Sequence, residues 1–296
     1  LLGEKARGLS PSVISALKAQ WLTEYEAFTQ QTMVSKSYSY WWVDGIYLSA
    51  RMEEEKTCML VIVGADHTGK KELVGLVDGF RESKESWLDL LRDLKRRGLR
   101  QGPKLAIGDG HLGFFSALNE VYPKTQAQRC WVHKTRNVLD KLPKTLHLQA
   151  KKDLKAIYDA VNLPKAEEAY QQFIESYGVK YPKALQCLSK DRLALFAFFD
   201  YPKAHWISIR TTNPIESTFA TVRHRTIKSR GCFSRTTIVA SVFKLIKEAE
   251  KRWKKLYGAS HLALLASPCL NQHTTSDESE ALLQEAARST HSPHAA

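Results

Sequence analysis

The sequence is poor in the features that would assign it to several common classes. Its 296 residues include only 5 cysteines. These (Cys58, Cys130, Cys187, Cys232 and Cys269) are odd in number, scattered and never spaced as Cys-x-x-Cys. No disulfide framework follows, and a reducing cytoplasm is the expected setting. Cys130 and His133 form half of a zinc pattern, but no second Cys/His pair stands at ligand spacing, which argues against a closed structural zinc site. Long apolar runs are also missing. The longest, Cys58 to Ala65, is strand length and far short of the roughly 20 residues that span a bilayer. No signal-peptide pattern opens the chain, so no membrane insertion is expected. There is no internal repeat, and the only biased tract is the Ser-, Thr-, Glu- and His-rich tail from 273 to 296, which composition predicts to be mobile.

Acid is in short supply relative to base. Lysine and arginine number 44 against 31 aspartates and glutamates, a formal net charge of +13. A polyanionic partner, DNA or RNA, is the first expectation, with solubility or ribosome contact as the plain alternatives. A hydrophobic content of 43% is ample for a packed core and rules out disorder throughout.

Ser10-Pro11 reads as an N-cap with proline in the first turn, and Ile14, Leu17, Trp21 and Tyr25 follow at helical spacing, predicting a helix over 10–29. Stretches 38–48, 57–66 and 72–77 are rich in β-branched and aromatic residues and predict three sequential antiparallel strands. A helix carrying Trp87, Leu90, Leu91 and Leu94 on one face comes next and is closed by Gly98. It leads to a strand at 104–108, a helix at 112–121, a strand at 125–129 and a helix from His133 to Leu142. From Pro143 to about Lys203 every segment reads as helix. Helices at 213–227 and 236–257 complete the pattern, which is α/β in class. The chain begins at Leu1 within a helical unit, so an upstream region is expected to be missing.

Three carboxylates stand out from this pattern. Asp44, in Trp42-Val43-Asp44-Gly45, is read as the end of an apolar strand, although a turn aspartate explains it as simply. Asp109, in Gly108-Asp109-Gly110, follows the strand residues Leu105, Ala106 and Ile107, where glycines let the backbone turn at the sheet's carboxyl edge. Glu216 lies at a helix start. With Asn213 as N-cap and Pro214 as first helical residue it could close a capping box, and the helix dipole would keep it ionised for a metal. Carboxylates from separate elements can hold a pair of hard cations that act on phosphodiesters, provided the fold brings them together. His133 is a candidate site residue beside them, Cys130 reads as a small buried hydrophobe, and His111 stands next to Asp109. After Glu216 the segment with Arg223, Arg225, Lys228 and Arg230 carries almost no acid and is read as a phosphate contact, its plain alternative being a solvated face.

Trp42-Val43-Asp44-Gly45, Gly108-Asp109-Gly110-His111-Leu112-Gly113, the stretch from Arg129 to Asn137, Arg210-Thr211-Thr212-Asn213-Pro214-Ile215-Glu216 and Lys228-Ser229-Arg230-Gly231 together resemble the successive signatures of the Mutator-type insertion-sequence transposases. The resemblance runs from about residue 8 to residue 257. It implies an RNase H-like DDE core, over 37–140 and 206–258, interrupted by an all-helical insertion over 141–205. Residues 1–30 would be the remnant of an amino-terminal DNA-binding region, and 259–296 a mobile tail. Position by position, Asp44, Asp109 and Glu216 match the catalytic acids, and Cys130 and His133 match a Cys-x-x-His signature.

The resemblance further implies Mg2+ or Mn2+, two ions, as cofactor, with DNA cleavage and strand transfer as the activity. The partners would be inverted-repeat transposon ends and target DNA, bound by a homodimer or higher oligomer at the bacterial nucleoid. One departure is Phe233-Ser234, where family members more often carry proline after the aromatic residue. An RNase H-like nuclease and a non-enzymatic DNA-binding descendant remain the alternatives.

Overall fold

The structure, a computed structural model, describes residues 10–49, 57–79, 81–110, 112–227 and 234–266. His111, Lys228, Arg230 and the 273–296 tail therefore lie outside the described residues. A mixed five-stranded sheet flanked by helices forms the centre, so the expected α/β class holds. Strands β1 (Tyr40–Leu48), β2 (Thr57–Ala65) and β3 (Lys71–Gly79) form an antiparallel meander. β4 (Leu105–Gly108) and β5 (Gln126–Arg129) add in parallel on the other side of β1, giving the order β3-β2-β1-β4-β5.

Both faces of the sheet are covered, so its strands read as near-continuous apolar runs. Period-2 alternation sorts β1 into two cores. Trp41 and Val43 join Cys58, Leu60, Ile62 and Val74 in one, which helices α2 (Lys84–Arg96) and α3 (Leu112–Val121) close with Trp87, Leu91, Leu94, Phe114 and Leu118. Ser83 caps α2 by accepting from the Ser86 N–H, and the predicted stripe is the face it buries. Each such Leu or Phe contributes on the order of 1.5–3 kcal/mol of apolar transfer.

Tyr40, Trp42 and Ile46 face the second core. That core is built with α4 (Trp131–Leu139) and the segments α5 (His147–Tyr158), α6 (Leu163–Tyr177), α7 (Pro182–Ser189), α8 (Arg192–Phe196) and α9 (Trp206–Ile209), together with α10 (Asn213–Ile227) and α11 (Arg235–Glu250). Among the described residues, 143–209 contain no strand, as the sequence pattern predicted. α1 (Pro11–Gln30), capped by Ser10, lies on α11 through Tyr25 and Phe28 against Phe243 and a Lys244–Glu24 ion pair. Among the described residues no helix is long and apolar enough to cross a membrane.

Three local expectations change. The last long helix, predicted to reach 257, ends at Glu250, and the Leu256 N–H instead donates to the Gly69 carbonyl at 2.8 Å. That bond ties the chain to the β2–β3 turn and takes it off the helical path. α4 starts at Trp131 rather than His133. α10 starts at Asn213, one residue earlier than a helix with Asn213 as its cap would, so Glu216 falls in the fourth helical position and no capping box forms.

Candidate active site

Asp44 is not at the end of its strand. β1 continues to Leu48 and pairs Asp44 with Val61 of β2. On its other flank the pairing with β4 ends at Trp42–Ile107. Continuing that parallel register by two residues sets Asp44 beside Asp109, just past the last residue of β4. Adjacent strands lie about 4.8 Å apart, so the two carboxylates project from neighbouring backbones at the level where one strand stops. By alternation Asp44 shares the face of Tyr40, Trp42 and Ile46, which packs against α4 and α10. Asp44, Asp109, Gly108 and Gly110 line one small cleft with Val43, Trp87, Phe114 and Glu82.

Two backbone bonds draw the other site elements to this edge. The Cys130 N–H donates to the Gly108 carbonyl at 2.8 Å, bringing the start of α4 to the end of β4. The Trp131 N–H donates to the Arg210 carbonyl at 3.0 Å, bringing in the segment that leads into α10. His133, one turn into α4, then has Nδ1 at 3.5 Å from Asp109 Oδ1 and 3.8 Å from Glu216 Oε1. Both acids touch one imidazole nitrogen.

Thr212 closes the arrangement. Its hydroxyl donates to Glu216 Oε1 at 2.6 Å, and its oxygen lies 3.2 Å from Cys130 Sγ and 3.4 Å from His133 Nδ1. The Thr212 N–H points at the same sulfur from 3.4 Å. Cys130 is fully buried, as a small hydrophobe would be, yet it is also the acceptor that anchors Thr212.

The electrostatics follow from burial and charge. Burial, reinforced by Glu82, pushes the Asp44 carboxyl up to about 7. Burial alone would depress His133, but hydrogen bonding with Cys130 and the charges of Asp109 and Glu216 outweigh it and push the imidazole up to about 9. The Cys130 thiol is lowered: burial opposes ionisation, and hydrogen bonds from His133 and Thr212 overcome it. Among the described residues, Cys130, His133 and Glu216 each offer one ligand atom, all within 4.8 Å of one another, a group able to hold a metal ion. The Asp44–Glu82–Asp109 cleft differs in chemistry, with oxygen donors only and concentrated negative charge, which suits a hard divalent cation.

The sequence signature described as "Transposase, Mutator family" matches residues 3–256. The chain belongs to the Mutator family of transposases. It is 49% identical over 264 residues to the transposase for insertion sequence element IST2 of Acidithiobacillus ferrooxidans, covering 87% of each chain. It is 50% identical over 258 residues to the transposase for IS6120 of Mycolicibacterium smegmatis, covering 87% of this chain and 79% of that one. A more distant relative, the transposase for IS256 in transposon Tn4001 of Staphylococcus aureus, is 30% identical over 224 residues, or 74% of this chain and 57% of that one.

In this Mutator-family chain several residues at the site carry no local sequence signal. Glu82 precedes the cap of α2, and its carboxylate lies so close to Gly45 that a Cβ there would stand 2.3 Å from Glu82 Oε1. Only the missing side chain of Gly45, in the Asp44-Gly45 pair, hints at it. Thr212 and Arg129 belong to quoted motifs, but their roles depend on contacts across the fold.

The expected basic track divides. Arg223, two turns beyond Glu216 on α10, shares its face, whereas Arg225 lies nearly opposite by helical periodicity. Both are exposed. Lys228 and Arg230, expected to continue the track, fall outside the described residues.

Proposed function

We propose that the chain is a divalent-metal-dependent DDE transposase that cleaves DNA at transposon ends and joins them to target DNA. The observation carrying this reading is that Asp44 on β1 and Asp109, just past the end of the neighbouring parallel strand β4, line one cleft, while Asp109 and Glu216 both lie within 4 Å of one nitrogen of His133. The strand order β3-β2-β1-β4-β5, with helices on both faces, supports an RNase H-like core. The strandless stretch that carries α5 to α8, between the second and third acids, is compatible with the insertion read over 141–205.

Asp44, Asp109 and Glu216 would hold Mg2+ or Mn2+, most simply two ions. When bound, these ions lower the pKa of an attacking water or 3′-hydroxyl and neutralise charge at the scissile phosphate. Asp44, with its carboxyl raised to about 7 when no cation is present, is a group whose ionised form a cation would favour. Glu216 is steadied by the Thr212 hydroxyl. His133, held as an imidazolium at neutral pH, can donate to a phosphate oxygen and orient it. Cys130 sets Thr212 and His133 in place, since a buried sulfur is a poor ligand for Mg2+.

Arg223, Arg225, Lys228 and Arg230 are assigned to the DNA backbone, with Arg223, on the Glu216 face of α10, nearest the cleavage site. The partners in this reading are inverted-repeat ends and target DNA, engaged by a homodimer or higher oligomer at the nucleoid.

The experiment is cleavage and strand transfer of a labelled end-containing duplex by purified protein with Mg2+, with EDTA as control. Asp109→Asn conserves volume and removes an anionic oxygen, so it should abolish both steps and leave DNA affinity nearly intact. Wild-type cleavage by Asp109→Asn would remove Asp109 from the site. Metal-dependent cleavage of RNA/DNA hybrids without end joining would favour a nuclease.

A further inference from the structure

A line of charges, its two cations buried and its two acids part-buried, leads away from Asp109 into the helical segment. Arg129, the last residue of β5, has a side chain only 7% exposed, with Nη1 at 3.7 Å from Asp109 Oδ1 and Nε at 3.4 Å from Asp191 Oδ2. Neither nitrogen makes a hydrogen bond among the described residues. The guanidinium lies against Gly110, where a Cβ would stand 1.5 Å from Nη1, and Gly110 has φ 77°, so both backbone and space keep that position free of a side chain. Asp191, in the turn between α7 and α8, also accepts from the ammonium of Lys134, which is fully buried and donates to the Cys187 carbonyl at 2.7 Å. The order is acid, base, acid, base: Asp109, Arg129, Asp191, Lys134.

A guanidinium within hydrogen-bonding reach of a carboxylate occupies the oxygens a cation needs. Arg129 stops short of that distance, with a second acid on its far side. We infer that Arg129 and Asp191 are positioning residues that set how available Asp109 is to a divalent cation. Arg129 fixes the Asp109 carboxylate and competes with the ion, and Asp191, carried by the helical segment, holds Arg129 back. Docking of the α7–α8 turn is thereby coupled to cation binding at the sheet edge. This rests on the reading of Asp109 as a cation ligand.

The test is Mn2+ binding to the full chain without DNA, followed by calorimetry and by the loss of the free-ion paramagnetic signal, with Asp109→Asn as the control that identifies the site. Asp191→Asn frees Arg129 to close on Asp109 and should weaken Asp109-dependent binding by roughly five- to tenfold, while Arg129→Gln removes the competing charge and should tighten it by a similar factor. Both changes strip a partner from a buried ion pair and lower stability, so a purely structural role would weaken binding in both. The opposite signs are the signature.

Should Asp191→Asn fail to fold, the Lys134→Met, Asp191→Asn double variant removes the buried pair as a unit and should still weaken binding. Affinities within about twofold of wild type in every folded variant, or a loss in both single variants, would overturn the inference while leaving Asp109 as a ligand. If wild-type Mn2+ binding does not depend on Asp109, both readings fall.

Discussion

Replacing Thr212 with valine tests the site with a near-isosteric change. The hydroxyl donates to Glu216 Oε1 at 2.6 Å, while its oxygen faces the buried Cys130 sulfur and His133. The Glu216 side chain is 34% exposed, so water can replace the lost donor on that side. No such replacement exists beside Cys130. A charged hydrogen bond discounted for solvent, plus one desolvated sulfur contact, amounts to about 1–2 kcal/mol of stability. In a chain of this size that corresponds to roughly 2–8 °C in Tm. The larger effect should be on turnover, because Glu216 loses the contact that selects its rotamer. A misplacement worth about 1.4–2.7 kcal/mol in the transition state lowers cleavage some ten- to hundredfold. Thr212→Ser keeps the hydroxyl and should stay near wild type. The assays are thermal unfolding by circular dichroism and single-turnover cleavage of an end-containing duplex. Wild-type cleavage by Thr212→Val would show that the hydroxyl does not orient Glu216, and equal impairment in Thr212→Ser would shift the role to methyl packing.

His133 has a folded pKa of about 9 against about 6.5 unfolded. Its ion-pairing contribution to stability is therefore full below pH ~6.5 and lost as pH rises towards 9. The urea midpoint should fall across that window in wild type and fall less in His133→Gln; parallel curves would refute the imidazolium. Gly110→Ala should cost about 2–4 kcal/mol, from the left-handed backbone plus displacement of the Arg129 guanidinium, and a Tm within about 1 °C of wild type would contradict the packing. Arg223→Ala should weaken DNA binding uniformly across sequences and reduce the salt slope by about one unit. An unchanged slope would return Arg223 to a solvated helix face.

Much of the architecture was legible in local pattern. Three β-rich stretches, the stripe Trp87, Leu90, Leu91 and Leu94, and the strandless run after Pro143 each carry their signal within a few residues, because periodicity reports which side of an element is buried. The quoted motifs, by their residues and order, also resembled the family to which the chain belongs. What the chain did not disclose locally was where those elements end and meet. Asp44 read as a strand terminus and lies inside β1, since β4 is the shorter neighbour and only sheet register reveals that. The final helix stops at Glu250 because Leu256 bonds to a turn far upstream. Glu82, Thr212, Arg129 and Asp191 join the site through side-chain and backbone contacts between elements distant in sequence. Such contacts depend on the register and packing of the whole core, and no single window of sequence encodes them.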